Sequence, residues 1–261
     1  MAHKGTKIVA ATMMAALAVA GCSQSAETAS STASSSSAKT SDKQSQEQIL
    51  IMGAASTRVL NDAISAEFPA EFNNAGSSTL ISQLEDGAPG DLLITADRKA
   101  MDQAVEKGLV EDPTVFATNE LVLVTTNPEI TDIDSLVAKA NEGAAVVACD
   151  PQVPCGRVTE ALVGDKNIPF ASLEHSVTDT LGKVTSGEAD AGFVYSTDAI
   201  AAGDKVTTIA IPGAENEKNE YPVAVTKNAT HPEQAKKKVM DYLTSDKFAE
   251  VLEEHGFSPV R

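Results

Sequence analysis

Short apolar runs alternate with stretches of helical periodicity along residues 49–257, and this alternation constrains the fold more than any other feature. Such alternation is typical of α/β proteins, in which helices cover the faces of a sheet. The predicted strands are 49–52, 91–95, 120–126, 144–148, 191–195, 206–211 and 221–225. The predicted helices are 56–64, 80–84, 101–109, 133–140, 158–163 and 177–184, followed by two C-terminal helices.

The first strand, turn and helix form a candidate half of a ligand site. Ile49–Met52 is an apolar run with the length of a buried strand, and the three residues after it are small. Ser56 is the predicted N-cap of the following helix. Because the unpaired N–H groups of a helix N-terminus favour negative charge, this turn suits an anion. The alternative is an ordinary strand-to-helix turn that contacts no ligand.

The two C-terminal helices carry start and stop signals of their own. Thr230 and Glu233 fit a capping box at the start of the first helix. Ser245 is the predicted N-cap of the second helix, and Gly256 is predicted to end it.

The first 47 residues predict export and tethering. Residues 1–21 place two lysines before an uncharged apolar stretch, which is typical of a signal peptide and short for a bilayer core of about 30 Å. Leu17-Ala-Val-Ala-Gly-Cys22 resembles a bacterial lipobox, so Cys22 is expected to be lipidated. Residues 22–47 have almost no large apolar residue and are expected to form a disordered tether to the membrane. The alternative is a plain secretory signal with an incidental cysteine.

The charge and the aromatic content restrict the partners. The formal charge is −17, and removing residues 1–21 takes away two lysines and no acidic residue, which leaves −19. No basic stripe is visible, so nucleic acid is not an expected partner. Trp is absent and aromatic residues make up 4% of the chain, which argues against a stacking platform for sugars. A small polar ligand fits this composition better.

Six short strings occur in one order and together carry a resemblance to a known family. They are Gly-Ala-Ala-Ser56, Ala-Gly-Ser-Ser-Thr-Leu80, Asp-Gly-Ala-Pro-Gly-Asp-Leu92, Cys-Asp-Pro-Gln-Val-Pro-Cys-Gly156, Gly-Glu-Ala-Asp-Ala-Gly-Phe-Val-Tyr195 and Tyr-Pro-Val-Ala-Val225. The chain resembles the molybdate-binding proteins of ABC importers from about Ile51 to Phe257. The resemblance implies a type II periplasmic-binding-protein fold, in which two α/β lobes enclose a ligand cleft. Lobe I would comprise 48–121 and 223–261, lobe II would comprise 122–222, and two strands near 121–125 and 221–225 would cross between them.

The resemblance also implies a function and a ligand set. The protein would be the extracytoplasmic solute-binding subunit of an importer, a monomer anchored to the cell membrane through Cys22, without catalysis or cofactor. It would capture molybdate or tungstate and deliver it to the ABC permease. The ligand contacts would be Ser56, Ser77 and Tyr195 through hydroxyl groups, and Cys155 and Val177 through backbone N–H groups. Ser78 and Arg58 would stand in a second layer.

The chemistry of the ligand supports this donor set independently. Molybdate and tungstate are dianions that carry no proton at neutral pH, so their oxygens only accept hydrogen bonds. Hydroxyl and N–H groups supply donors without a charged side chain. Hydrogen phosphate carries a proton and requires an acceptor, so a lining of donors disfavours it. Sulfate carries no proton, so only the size of the cavity can exclude it.

Cys149 and Cys155 are the only cysteines after residue 22. Export permits a disulfide, and the turn-rich residues between them allow the two sulfurs to approach. The short ring predicts a stabilisation of only about 2–2.5 kcal/mol, so a bond would act mainly by fixing the loop that presents Cys155. Two buried reduced thiols are the alternative.

Three other functions are weighed against this one. An enzyme could use Cys155 as a nucleophile with His175 or Asp150. A surface lipoprotein could have a structural or adhesive role without a ligand. A binding protein of the same transport class could carry sulfate, phosphate or an iron chelate. The sequence shows no zinc-type cysteine spacing, so no metal-ion site is expected.

Overall fold

Two mixed sheets form the framework of the protein, whose computed structural model describes residues 48–260. The strands are β1 (Ile49–Ala54), β2 (Ala70–Ala75), β3 (Leu92–Ile94), β4 (Val110–Asn119), β5 (Leu121–Thr125), β6 (Val146–Cys149), β7 (Phe170–Glu174), β8 (Ala191–Tyr195), β9 (Thr207–Ala210), β10 (Asn219–Thr226) and β11 (Ser258–Pro259). The expected signal peptide, the lipid site at Cys22 and most of the tether lie outside the described residues.

Helices cover both sheets. They are α1 (Asn61–Glu67), α2 (Ser77–Glu85), α3 (Arg98–Glu106), α4 (Ile133–Asn141), α5 (Pro154–Val163), α6 (Val177–Ser186), α7 (Ser196–Ala202), α8 (Pro232–Gln234), α9 (Asp241–Leu243) and α10 (Asp246–Glu254). A 3-10 helix, Ala55–Leu60, leads directly into α1, and a π-helical segment, Ala235–Met240, joins α8 to α9. Within residues 48–260, no helix has the length and apolar character needed to cross a bilayer.

The first sheet is built around β1. Its strand order is β11-β4-β10-β3-β1-β2, with β1 parallel to both of its neighbours. Ile51 and Met52 are both buried and belong to different hydrophobic clusters, so both faces of β1 are covered. This explains why the strand is an uninterrupted apolar run, because a strand buried on both faces has no polar side.

The second sheet has the order β7-β6-β8-β5-β9. Strands β6, β7 and β8 run parallel, whereas β5 pairs antiparallel with β8 and β9. Gly192 in β8 lies under α6: a Cβ atom there would come within 3.0–3.1 Å of side chains from Thr180, Val147 and Val184. A side chain at this position would therefore push the helix away from the sheet.

The chain passes between the sheets at two places, each directly before one of the two segments near which a crossing was expected. Residues 121–125 pair only within the second sheet, and residues 219–226 pair only within the first. The passages are instead the step from Asn119 to Leu121 and the segment between Ala210 and Asn219. The two segments thus begin where the chain has just entered a new sheet, and the expected lobe boundaries stay a prediction.

All seven predicted strands are confirmed, with ends that differ by at most two residues. Strands β2, β4, β7 and the two-residue β11 were not predicted. β2 and β7 are edge strands with mostly half-exposed residues, so they lack a strong apolar pattern. β4 begins with Glu111-Asp-Pro113, a sequence more typical of a turn than of a strand.

Two predicted helix caps are wrong and one is confirmed. Ser56 lies inside the 3-10 helix, whose N-cap is Ala54. His231 is the N-cap of α8 and no side chain caps it, so the capping box of Thr230 and Glu233 does not form there. Ser245 does cap α10, accepting a hydrogen bond from the N–H of Phe248 at 3.2 Å.

Candidate functional site

The carboxyl ends of the parallel strands in both sheets lead into helices. In the first sheet β1 leads into the 3-10 helix and β2 into α2, and in the second sheet β7 leads into α6 and β8 into α7. Loops at the carboxyl ends of parallel strands are the usual place for a ligand in α/β proteins. The fold therefore gathers several helix starts from two separate sheets.

One small cavity lies among these helix starts, and the five expected ligand residues all line it. They are Ser56 and Ser77 at helix starts of the first sheet, Cys155 and Val177 at helix starts of the second sheet, and Tyr195, the last residue of β8. Each of the five is at most 4% exposed. The cavity volume is about 10 Å³, which leaves room for nothing larger than a compact group. Whether these residues bind a ligand stays a prediction.

The backbone around the cavity offers hydrogen-bond donors. The first N–H groups of a helix have no partner within the helix, and a side chain at the N-cap usually satisfies one of them. Ala54, Gly76 and Val153 occupy three of the N-cap positions, and none of them makes a side-chain cap. The N–H groups at the starts of these helices, that of Cys155 included, are thus left for the cavity.

The hydroxyl groups that line the cavity are held in different ways. Ser77 Oγ accepts a hydrogen bond from the N–H of Ala96 at 3.0 Å, and Ser56 Oγ lies 2.9 Å from the hydroxyl of Tyr221. Tyr195 is 1% exposed, and its hydroxyl has no hydrogen-bond partner among the described residues. Burial raises the pKa of Tyr195 well above its ordinary value, so the hydroxyl keeps its proton and remains a donor.

Formal charge is absent from the cavity wall. Among the described residues that line it, none is Lys, Arg, Asp or Glu. His175 and Tyr195 are the lining residues whose side chains can titrate. Groups of three or more His, Cys, Asp or Glu able to hold a metal ion are also absent from residues 48–260. The arrangement can hold an acceptor of hydrogen bonds, but it offers no set of metal ligands.

A model of one protein family matches residues 49–258, and its description is bacterial extracellular solute-binding protein. The chain belongs to this family. It is 35% identical to the molybdate-binding protein ModA of Mycobacterium bovis over 97% of each chain. It is 32% identical to ModA of Escherichia coli, with 81% of this chain and 89% of the other covered. The periplasmic molybdate-binding protein of Azotobacter vinelandii has the same fold, with a TM-score of 0.72 and 19% identity over 82% of this chain and all of that one. The fold is the expected two-lobe, type II periplasmic-binding-protein fold.

In this solute-binding protein, two arginines connect the two sheets' helices near the cavity. Arg58 Nη1 donates to Thr178 Oγ1 at 2.9 Å, and its Nη2 lies 3.7 Å from Asp198 Oδ1. Arg157 Nε donates to Asp97 Oδ2 at 2.7 Å. Neither arginine lines the cavity. Each instead links a helix next to the first sheet with a helix next to the second, and these two parts of the molecule are called its halves below.

The two residues expected in a second layer lie outside the cavity wall. Arg58 bridges the halves as described, with its side chain one-third exposed. Ser78 lies on the first turn of α2, and its Oγ donates to the carbonyl of Gln152 at 3.4 Å. Both residues therefore contact the opposite half of the solute-binding protein and not the cavity.

The structure contains the expected Cys149–Cys155 disulfide, with a Cα–Cα distance of 5.7 Å. It joins the end of β6 to the first turn of α5, where Cys155 lines the cavity. Because the Cys155 sulfur is bonded, it is not available as the nucleophile that the enzyme alternative requires.

Removing this disulfide is expected to lower the free energy of unfolding by about 2–2.5 kcal/mol, because the unfolded chain regains the freedom of a short loop. Urea denaturation of the Cys149→Ser/Cys155→Ser variant measures the change. Reductant should destabilise the original protein by a similar amount and leave the variant unaffected. Two reactive thiols in the denatured, unreduced protein would contradict the bond.

Sequence reasoning missed the groups that stand behind the cavity wall. Tyr221, Asn119, Asp198 and Arg157 reach the site region through contacts between distant segments. Tyr221 begins the string Tyr-Pro-Val-Ala-Val225, which was expected to lie where the chain crosses between the lobes. That expected position was the one feature of the sequence that could have placed Tyr221 near the cavity. The others carry no local pattern.

Proposed function

We propose that this protein is the capture subunit of an ABC importer and that it binds molybdate or tungstate. The observation that carries the proposal is the buried Tyr195 hydroxyl, which points to no acceptor of the described chain at a cavity lined by other donors. A dianion without protons would accept from all of these groups at once. The names of the related proteins, which bind molybdate, support the same ligand.

Neutral donors can hold a dianion without a balancing charge. A hydrogen bond to a charged acceptor contributes roughly 1.5–3 kcal/mol net of the hydrogen bonds to water that it replaces, so five such bonds would favour binding strongly. Ser56, Ser77, Cys155, Val177 and Tyr195 would each donate one. The helix N-termini add a favourable electrostatic potential.

We propose that the protein consists of two lobes that close on the ligand, as the resemblance implies. The strand pairing supports a slightly earlier boundary than residue 222, because Asn219–Pro222 pair with β4 in the first sheet. Lobe I would then comprise 48–120 and 219–261, and lobe II would comprise 121–218. The bridges of Arg58 and Arg157 would form as the lobes close.

The remaining parts of the proposal concern the setting of the protein. It would be exported, anchored to the outer side of the cell membrane through lipidated Cys22, and carried by the tether to its permease. It would act as a monomer, without a cofactor and without catalysis. The lipobox and the family membership support this setting.

Sulfate is the second candidate ligand, because its oxygens, like those of molybdate, carry no proton and only accept hydrogen bonds. Calorimetric titration with molybdate, tungstate, sulfate and phosphate distinguishes them. We expect strong binding of the first two, weaker binding of sulfate and the weakest binding of phosphate. Binding of sulfate alone would replace the ligand assignment, and hydrolysis of an acyl substrate would revive the enzyme alternative.

Tyr195→Phe is expected to weaken molybdate binding by roughly 10- to 100-fold, because it removes one hydrogen bond to a charged acceptor. The folded protein should lose little stability, since the hydroxyl has no partner among the described residues. The matched control is Tyr242→Phe, which removes a tyrosine hydroxyl that does not line the cavity. Calorimetry checks both variants, and equal affinities for all three proteins would count against the role of Tyr195.

A further inference from the structure

We propose that Tyr221, oriented by Asn119, fixes the direction of the Ser56 hydroxyl so that Ser56 can only donate into the cavity. Tyr221 would thus be a positioning residue that determines specificity for oxyanions without a proton. This inference rests on the proposed function, because it concerns the same cavity. It adds a reason why a serine, which can donate or accept, behaves there as a donor.

The orientation of the Asn119 side chain is the first step. Its Oδ1 accepts from the backbone N–H of Glu120 at 2.8 Å and from Ser196 Oγ at 2.6 Å. A backbone N–H can only donate, so the atom facing it must be the amide oxygen. The amide nitrogen therefore faces the other way, 2.9 Å from Thr197 Oγ1 and 3.5 Å from the hydroxyl oxygen of Tyr221.

The proton of Tyr221 is the second step. An amide nitrogen has no lone pair to accept with, so Tyr221 cannot donate to Asn119 and can only accept from it. The side chain of Asn219 also lowers the pKa of Tyr221, as a donor to its oxygen does, and its Oδ1 has no hydrogen-bond partner in the described chain, so Asn219 does not take the tyrosine proton either. The remaining acceptor within hydrogen-bonding distance is Ser56 Oγ, at 2.9 Å. Tyr221 is fully buried, and burial raises its pKa, so the hydroxyl keeps this proton.

The proton of Ser56 is the third step. Its oxygen receives the hydrogen bond from Tyr221, and the described residues offer Ser56 Oγ no second partner. Ser56 is 1% exposed and lines the cavity, so its own O–H has only the cavity to face. The chain Asn119 to Tyr221 to Ser56 thus runs in one direction, with each group donating to the next.

Ser77 reaches the same state by another route. Its Oγ accepts from the backbone N–H of Ala96, which also leaves its proton for the cavity. A backbone N–H directs the hydroxyl of Ser77, whereas the Tyr221 side chain directs that of Ser56. A side-chain substitution can therefore change the direction of the Ser56 hydroxyl but not that of Ser77. If the Ser56 hydroxyl could rotate, its oxygen could accept a hydrogen bond from the O–H of hydrogen phosphate. The hydroxyl directed by Tyr221 cannot do so.

A double-mutant cycle with molybdate as the probe tests the inference. Tyr221→Phe should weaken molybdate binding roughly tenfold, the size of one modest hydrogen bond. In a Ser56→Ala background the same substitution should leave the affinity unchanged, because no hydroxyl remains to be directed. Equal losses in both backgrounds would overturn the inference, since Tyr221 would then act otherwise than through Ser56.

A selectivity measurement distinguishes a changed direction of the Ser56 hydroxyl from a packing defect around the cavity. Tyr221→Phe should lower the ratio of molybdate affinity to phosphate affinity, whereas a packing defect would weaken both ligands equally. The matched control is Thr197→Val, which removes the other acceptor of the Asn119 amide and should leave this ratio unchanged. An unchanged ratio in Tyr221→Phe would contradict the inference.

A second variant covers the case in which Tyr221→Phe does not fold. Asn119→Asp replaces the donor facing Tyr221 with an acceptor, so the tyrosine proton would turn to it and Ser56 would donate to Tyr221. Asn119→Asp should weaken molybdate binding more than Tyr221→Phe does. When Ser56 is already replaced by alanine, Asn119→Asp should weaken binding far less. If the unaltered protein binds none of the four oxyanions, the proposed function fails. If it binds molybdate and the cycles are additive, only the role of Tyr221 fails.

Discussion

Gly76→Ala is expected to weaken molybdate binding on the order of 100-fold while leaving the stability of the unliganded protein nearly unchanged. Gly76 is the N-cap of α2 and has an ordinary backbone conformation, with φ of −58° and ψ of 140°. Alanine therefore strains nothing locally. However, its Cβ would overlap with the carbonyl oxygen of His175, which belongs to the loop between β7 and α6 on the opposite side of the cavity.

The overlap matters because a backbone oxygen cannot rotate out of the way as a side chain does. Overpacking of this kind costs roughly 1–3 kcal/mol or more, and 3 kcal/mol corresponds to about a hundredfold in affinity. In the proposed closing motion the cost would fall on the closed arrangement alone, since the clash would disappear when the two lobes separate. Calorimetric titration gives the affinity, and small-angle scattering with saturating molybdate reports whether the variant still closes.

Gly182→Ala is the matched control, because a Cβ at this glycine in α6 meets no atom within 4 Å. Alanine favours a helix over glycine, so this variant should bind as the original protein does and be slightly more stable. A Gly76→Ala variant with unchanged affinity would show that the halves approach less closely in the bound protein than they do here.

Asp198→Asn is expected to stabilise the folded protein above pH 7, by about 4 kcal/mol at most, and to change its stability little at pH 4. The Asp198 side chain is fully buried, and burial raises its pKa to about 7, although Arg58 and the N–H of Tyr195 act in the opposite direction. Between pH 4 and 7 the folded state therefore holds a proton that the unfolded state has lost. The contribution of Asp198 to stability falls as the pH rises through this range, by about 1.4 kcal/mol per pH unit.

Urea denaturation of both proteins from pH 4 to pH 8.5 measures this effect as a difference, which cancels the titration of all other groups. The difference should grow with pH up to about 7 and then level off. Asp62→Asn, at an exposed position of α1, controls for the loss of one negative charge from an acidic chain. An Asp198→Asn variant that is less stable at pH 8 would show that the ion pair with Arg58 outweighs burial.

The residues that could be predicted from the sequence are those with local patterns. The buried strands β1, β5 and β8 have continuous apolar runs because both of their faces are covered, and such runs are visible in any window of the chain. The five cavity residues were carried over from the family that six short strings resemble, and the structure brings all five together. Their role as ligand contacts remains a prediction.

The rest depended on contacts between distant segments, which no local pattern encodes. Strand β4 contains an Asp-Pro sequence and forms because β10 and β11 flank it on either side. The hydrogen bond between Ser56 and Tyr221 joins residues 165 positions apart, and that between Asn119 and Thr197 spans 78. The N-cap at Ser56 was wrong for a related reason: the helix begins earlier, as a 3-10 turn, and the serine turns inward to Tyr221.

The uncharged cavity wall has a consequence for the cell that carries this protein. A pocket that depends on basic side chains loses affinity as salt screens them, because screening acts on charges within reach of solvent. In the proposed function the attraction would come from buried dipoles and short hydrogen bonds, which dissolved ions do not reach. Salt would act mainly on the acidic exterior, whose repulsion of a dianion is screened at high ionic strength, so the proposed binding should be retained in brine.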